Sequence, residues 1–123
     1  MATVLVLDDD LSSREYLTAI LDMLGHSCVG VADGRQALEL VYSTPPDLII
    51  TEVQMPDTDG FKFLHELRRH AVLADIPALV FTGNPDDVCE QQALACDVFT
   101  VLPKPGKPDQ LMAAIRSALE DPA

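Results

Sequence analysis

"IITEVQMPDTDG", residues 49–60, decides how this chain is read. An apolar run stops at one acid, Glu52, and a stretch containing Pro56 and Gly60 follows. This is the pattern of a buried strand that runs into a loop and carries an ionisable side chain where it ends. Extended backwards, the strand covers "DLIIT", Asp47 to Thr51. It is apolar on both alternations, so both of its faces are covered, as in a parallel sheet flanked by helices.

The same unit recurs on either side. "TVLVL" (Thr3 to Leu7) is a continuous apolar run that stops at three aspartates. Leu17, Ile20, Leu21 and Leu24 follow at helical spacing, and Gly25 suits the C′ position. "SCVGVA" (Ser27 to Ala32) reads as a second strand, after which Asp33-Gly34 makes a turn and helix start. Ala37, Leu38 and Val41 mark a second helix, stopped by Pro45 and Pro46. Phe61, Leu64 and Leu67 share one face of a third helix. "IPALVF" (Ile76 to Phe81) is a fourth strand. Asn84 as N-cap, Pro85 at the first helical position and two acids then predict the start of a fourth helix. "DVFTVL" (Asp97 to Leu102) is a fifth strand, and Pro108 opens a fifth helix through Leu111, Met112, Ile115 and Leu119. Five β-α units in series predict a doubly wound, five-stranded parallel sheet of the flavodoxin-like type, a three-layer α/β/α sandwich in a single domain, residues 1–123.

Composition narrows the function classes. Twenty acids against eight Lys and Arg leave a net charge of −12, which argues against direct nucleic-acid binding and against an anionic membrane surface. No apolar run reaches the roughly 18 residues of a membrane span, and "MATVLVLDDD" has no basic n-region or cleavage site of a secretory signal. Cys28, Cys89 and Cys96 are odd in number and not spaced as metal ligands, so they read as reduced thiols of a cytoplasmic protein. His26, His65 and His70 are scattered, with no ligand partner at suitable spacing.

Ligands of doubly wound sheets sit beyond the carboxyl ends of the strands. There the sequence sets Asp8, Asp9 and Asp10 after the first strand, Glu52 after the third, Thr82 and Gly83 after the fourth, and Lys104 between two prolines after the fifth. Asp10 reads as a helix N-terminal acid. Clustered carboxylates repel unless a cation joins them. Oxygen-only donors suit Mg²⁺ before Ca²⁺, and Mg²⁺ with few carboxylates is the usual arrangement for handling a phosphoryl group. Lys104 would add a second positive charge and Thr82 a hydrogen bond to a phosphoryl oxygen.

At these residues the sequence resembles the receiver domain of two-component response regulators (the CheY-like superfamily), over essentially its whole length. "VLVLDDDLSSR" is similar to the family's first strand and acidic pair, with Asp8 and Asp9 as the pair. "PDLIITEVQMPDTDGFKFL" resembles its third strand, acceptor site and "MP…DG" loop; "PALVFTG" its fourth strand with the signalling Thr; "LPKP" its Lys-Pro pair. The resemblance implies that Asp8, Asp9, the acceptor carboxylate and the backbone carbonyl of Gln54 hold Mg²⁺. It implies that the acceptor takes a phosphoryl group from a histidine kinase or phosphotransfer protein while Thr82 and Lys104 engage its oxygens. It further implies that the face of the fourth helix, fifth strand and fifth helix then meets an output protein or domain, or a second copy as a homodimer. The resemblance implies, too, a domain that performs its own phosphoryl transfer and is not otherwise an enzyme.

Two positions depart from the family pattern. The acceptor is an aspartate in the family and Glu52 here, and the aromatic expected three residues before the lysine is Val101, with Phe99 two residues earlier. Glutamate adds one methylene, about 1.5 Å, and misplacing a reacting atom by about 1 Å costs on the order of a hundredfold in rate. The expectation is an atypical receiver: Glu52 a poor acceptor, reaching toward Lys104 and Thr82 as an incomplete phosphoryl mimic and setting the conformation of a protein-interaction switch. The alternatives are a Mg²⁺-dependent receiver in which Glu52 itself is phosphorylated, or an engineered Asp→Glu form of an ordinary one.

Overall fold

The computed structural model describes residues 1–55 and 60–120. Five strands, β1 (Thr3–Leu7), β2 (Ser27–Val31), β3 (Leu48–Thr51), β4 (Ala78–Thr82) and β5 (Thr100–Pro103), alternate with five helices, α1 (Leu11–Met23), α2 (Gly34–Ser43), α3 (Gly60–Arg68), α4 (Asp87–Ala95) and α5 (Pro108–Glu120). All neighbouring strands are parallel, in the order β2-β1-β3-β4-β5. The flavodoxin-like, doubly wound sandwich expected from the sequence is the fold observed.

Alternation along the central strands sorts their side chains into two cores. Leu5, Leu7, Ile49 and Val80 join Ala37, Val41, Leu64, Leu67 and Ala93 on one face of the sheet. Val4, Val6, Leu48, Ile50, Leu79 and Phe81 join Leu17, Leu21, Leu111 and Ile115 on the other. Both layers exclude water, which is why β1, β3 and β4 are unbroken apolar runs. β2 differs from that expectation: Ser27, Val29 and Gly30 are exposed, because β2 is an edge strand with one neighbour.

Chain order reverses at β1, whose neighbours are β2 on one side and β3 on the other. The crevice beyond this switch point is where the sheet leaves room for a ligand. Leu7 lies opposite Thr51, so Asp8 and Glu52 follow adjacent strands at the same level.

Several boundaries shift from the sequence reading for local reasons. The N-cap of α4 is Asp86, whose carboxylate accepts from the Cys89 amide at 2.8 Å; Asn84 and Pro85 precede it. An Asp caps the first-turn amides as well as an Asn does, and the helix dipole favours the acid in addition. β5 begins at Thr100 and not at Asp97, because Asp97 has φ of +55° and forms the left-handed turn after α4. β4 begins at Ala78 and takes in Thr82 as its last residue. Arg68, at the end of α3, donates to the carbonyls of Ala74 (2.9 Å), Ile76 (2.6 Å), Cys96 (2.9 Å) and Asp97 (3.4 Å). It thereby joins the segments that enter β4 and β5.

Candidate functional site

The main chain brings the acids together first. The Asp8 amide donates to the Val31 carbonyl at 3.1 Å and the Glu52 amide to the Leu7 carbonyl at 2.8 Å, so each residue prolongs the ladder by one step. Asp8 is 1% and Glu52 7% exposed. The Glu52 carbonyl accepts from the Thr51 hydroxyl at 2.8 Å. It also lies 2.2 Å from where a Cβ on Gly60 would stand, so only glycine allows α3 to start this close to the strand end. The Pro and Asp of the "MP…DG" loop, residues 56 and 59, lie outside the described residues.

Lys104 arrives from β5. Its amide donates to the Thr82 carbonyl at 2.8 Å, and the Lys104–Pro105 peptide is cis. Its ammonium contacts Asp8 Oδ2 at 2.7 Å and Glu52 Oε1 at 3.3 Å and stands 5.6 Å from the centre of the Phe81 ring. The remaining oxygens are also committed: Asp8 Oδ1 accepts from the Asp10 amide at 2.9 Å, and Glu52 Oε2 accepts from the Val53 amide at 2.8 Å. Burial acts to lower the lysine pKa, but Asp8 and Glu52 outweigh it and hold the ammonium above its ordinary value. Burial, opposed by Lys104 and the Asp10 amide, pushes the Asp8 carboxyl up.

Among the expected site residues, then, Asp8, Glu52 and Lys104 meet directly. Thr82 is fully buried at the end of β4, and its hydroxyl has no hydrogen-bond partner among the described residues. The expected reach of Glu52 toward Lys104 is therefore observed, while no bond to Thr82 forms. Asp9 is exposed. The Gln54 amide stands 3.5 Å from Glu52 Oε2. Donor chemistry suits a hard cation, since Asp8, Asp9, Glu52 and the Gln54 carbonyl offer oxygen alone. In arrangement, the ammonium of Lys104 bridges two of those carboxylates, and no three acidic, His or Cys side chains converge among the described residues.

Two residues that sequence reading passed over support this constellation from α1. Arg14 donates to the Asp8 carbonyl at 2.6 Å, with its stem beside Gly30 of β2. Tyr16 donates its hydroxyl to the Gly106 carbonyl at 2.5 Å. Asp10 is the N-cap of the same helix, accepting from the Ser12 amide and the Ser13 hydroxyl, as its place in the sequence suggested.

A five-stranded doubly wound sheet with buried acids and a lysine gathered at its switch point defines a CheY-like α/β domain. The family model for the response regulator receiver domain matches residues 4–116, and the chain belongs to that family. It is similar to the response regulator MprA of Mycolicibacterium vanbaalenii, with 38% identity across 94% of this chain and 49% of that protein. It is similar to the phosphate regulon transcriptional regulatory protein PhoB of Pseudomonas aeruginosa, with 28% identity across 95% of this chain and 51% of that protein. The chain thus spans about half the length of the curated relatives it matches. Among solved structures, the chemotaxis response regulator CheY4 of Vibrio cholerae superposes with a TM-score of 0.89 and 31% identity, over 97% of this chain and 99% of that one. Among the described residues no helix is long and apolar enough to cross a membrane.

Proposed function

We propose that these 123 residues form a single receiver domain whose switch is set by Glu52 and not by ordinary phosphorylation. The observation that carries this reading is the engagement of both Glu52 oxygens, one by the Lys104 ammonium at 3.3 Å and one by the Val53 amide at 2.8 Å. An attacking carboxylate oxygen must lie in line with the phosphorus and its leaving group. Here each oxygen is held by a charged or buried hydrogen bond that fixes its direction and draws off its electron density. Glu52 also supplies the contact to Lys104 that a phosphoryl oxygen would make, with about one negative charge against the nearly two of a phosphate.

Asp8, Asp9 and the Gln54 carbonyl are the groups that would hold Mg²⁺, with Glu52 as a further oxygen donor. The ion would supply positive charge to neutralise phosphoryl oxygens. Output is protein binding in the cytoplasm, through the face of α4, β5 and α5, to a downstream protein or domain or to a second copy of the chain. A histidine kinase or phosphotransfer protein is the upstream partner. Direct nucleic-acid and membrane contacts are disfavoured by the charge of −12.

A second reading has its own support. Thr82 Oγ is buried and unpartnered among the described residues, a donor held without an acceptor, as a slow Mg²⁺-dependent phosphoacceptor, native or engineered, would need. Intact-mass measurement after incubation with Mg²⁺ and a small acyl phosphate separates the two. The expected result is no phosphoryl adduct; a stoichiometric, base-labile adduct on Glu52 would refute the phosphorylation-independent reading and establish the second.

A further inference from the structure

Lys104 is anchored at both ends of a three-residue span. On its amino side the Lys104 amide is fixed to the Thr82 carbonyl at 2.8 Å. On its carboxyl side, two residues on, the Gly106 carbonyl receives the Tyr16 hydroxyl at 2.5 Å. Gly106 has no side chain of its own to grip the core. A Cβ there would lie 2.9 Å from Phe81 Cε1 and 3.0 Å from Leu111 Cδ1, so its backbone lies directly on the Phe81 ring. That ring is also the one beneath the Lys104 ammonium, 5.6 Å away. The other flank of the loop is open: a solvent-open groove of about 500 Å³ runs between it and α1, lined by Asp10, Ser12, Ser13, Tyr16, Phe81 and Lys104 among others. A loop backed by open space on one side shifts readily unless something crosses that space, and the Tyr16 hydroxyl does.

Helix α1 therefore grips both members of the Asp8–Lys104 pair. Asp10 holds Asp8 Oδ1 and Arg14 holds the Asp8 carbonyl, while Tyr16 holds the loop that carries the lysine. We propose that Tyr16 is a positioning residue for Lys104, acting through the Gly106 carbonyl to hold the ammonium against Asp8 and Glu52. The longer contact, 3.3 Å to Glu52 Oε1, is the one that a loosened loop surrenders first. The inference rests on Lys104 as the cation of the Glu52 site, and it holds whether or not Glu52 accepts a phosphoryl group.

Pulse acylation with an N-hydroxysuccinimide ester, read lysine by lysine in the mass spectrometer, tests it. Lys104 is partly buried and ion-paired, whereas Lys62 is exposed and serves as the internal reference. Tyr16→Phe keeps the ring and removes only the hydroxyl. Lys104 labelling is expected to rise about fivefold, the equilibrium weight of one ordinary hydrogen bond, with Lys62 unchanged. Tyr42→Phe, whose ring pairs with His70 at 4.9 Å, is the control. Unchanged Lys104 labelling in Tyr16→Phe would overturn the proposal, and so would a fall in Tm alone, which marks a merely structural tyrosine. An equal rise in Tyr42→Phe would overturn it as well. Because the readout involves no phosphodonor, it fails or succeeds separately from the proposed function.

Discussion

Shortening Glu52 to aspartate isolates the one methylene on which the proposed function turns. Glu52→Asp draws the carboxylate back toward the strand end by about 1.5 Å. The 3.3 Å contact with Lys104 is then lost, while the 2.7 Å contact between Lys104 and Asp8 is untouched. Glu52 is buried but Lys104 keeps Asp8 as partner, so losing this one charged contact costs about 1–2 kcal/mol, which for a chain of this size lowers Tm by about 4–8 °C. The variant should therefore stay folded. Its carboxylate regains a free oxygen at the depth from which in-line attack is expected, and the rate of phosphoryl labelling should rise on the order of a hundredfold. The assay is a time course of intact mass in Mg²⁺ and an acyl phosphate, wild type and variant side by side, with base lability identifying the acyl phosphate product. A variant that melts within about 8 °C of wild type but labels no faster would refute the reasoning. The side-chain length of Glu52 would then not be what limits transfer.

Other outcomes follow from neighbouring contacts. Gly60→Ala should lower the urea midpoint by the equivalent of about 2–3 kcal/mol without changing the slope, because its Cβ would meet the Glu52 carbonyl at 2.2 Å. Arg68→Met strands four carbonyls at once and should cost about 3 kcal/mol, less than additive because the bonds share one side chain; chemical denaturation measures it. Burial works against the Lys104 charge, but Asp8 and Glu52 leave its pKa raised above the ordinary 10.5. Its stabilising contribution is thus complete below that value and lost as pH rises through the raised folded value. Tm followed from pH 8 upward should show this alkaline decline in wild type and a smaller one in Lys104→Met.

Strands β1 and β3 were legible because they are apolar on both alternations, and Asp8, Glu52, Thr82 and Lys104 were legible because each stands where such a run stops. The limits of the local signal are equally specific. Val98 and Phe99 read as strand by composition, yet Asp97 turns left-handed before them and defers β5 to Thr100. Asn84-Pro85 has the form of a helix start, but the stronger cap two residues on prevails. Tyr16 and Arg14 look like ordinary helix positions, since nothing near them in sequence announces a partner. The Gly106 carbonyl that Tyr16 meets is 90 residues away. Arg68 is likewise silent in sequence, because its acceptors among the described residues are main-chain carbonyls.

The ion pair between Asp8 and Lys104 spans 96 residues of sequence, which gives the site a place in the order of folding. β1 and β3 can pair as soon as both exist, and their pairing sets two buried acids side by side with no counter-charge. Only the docking of β5, the last strand at the far edge of the sheet, delivers the ammonium. Contacts of such long sequence separation form late, after the loop entropy they close has been overcome. A partly folded chain with β5 undocked would therefore carry its self-repulsion at the crevice itself, and the receiver site is complete only when the whole sheet is.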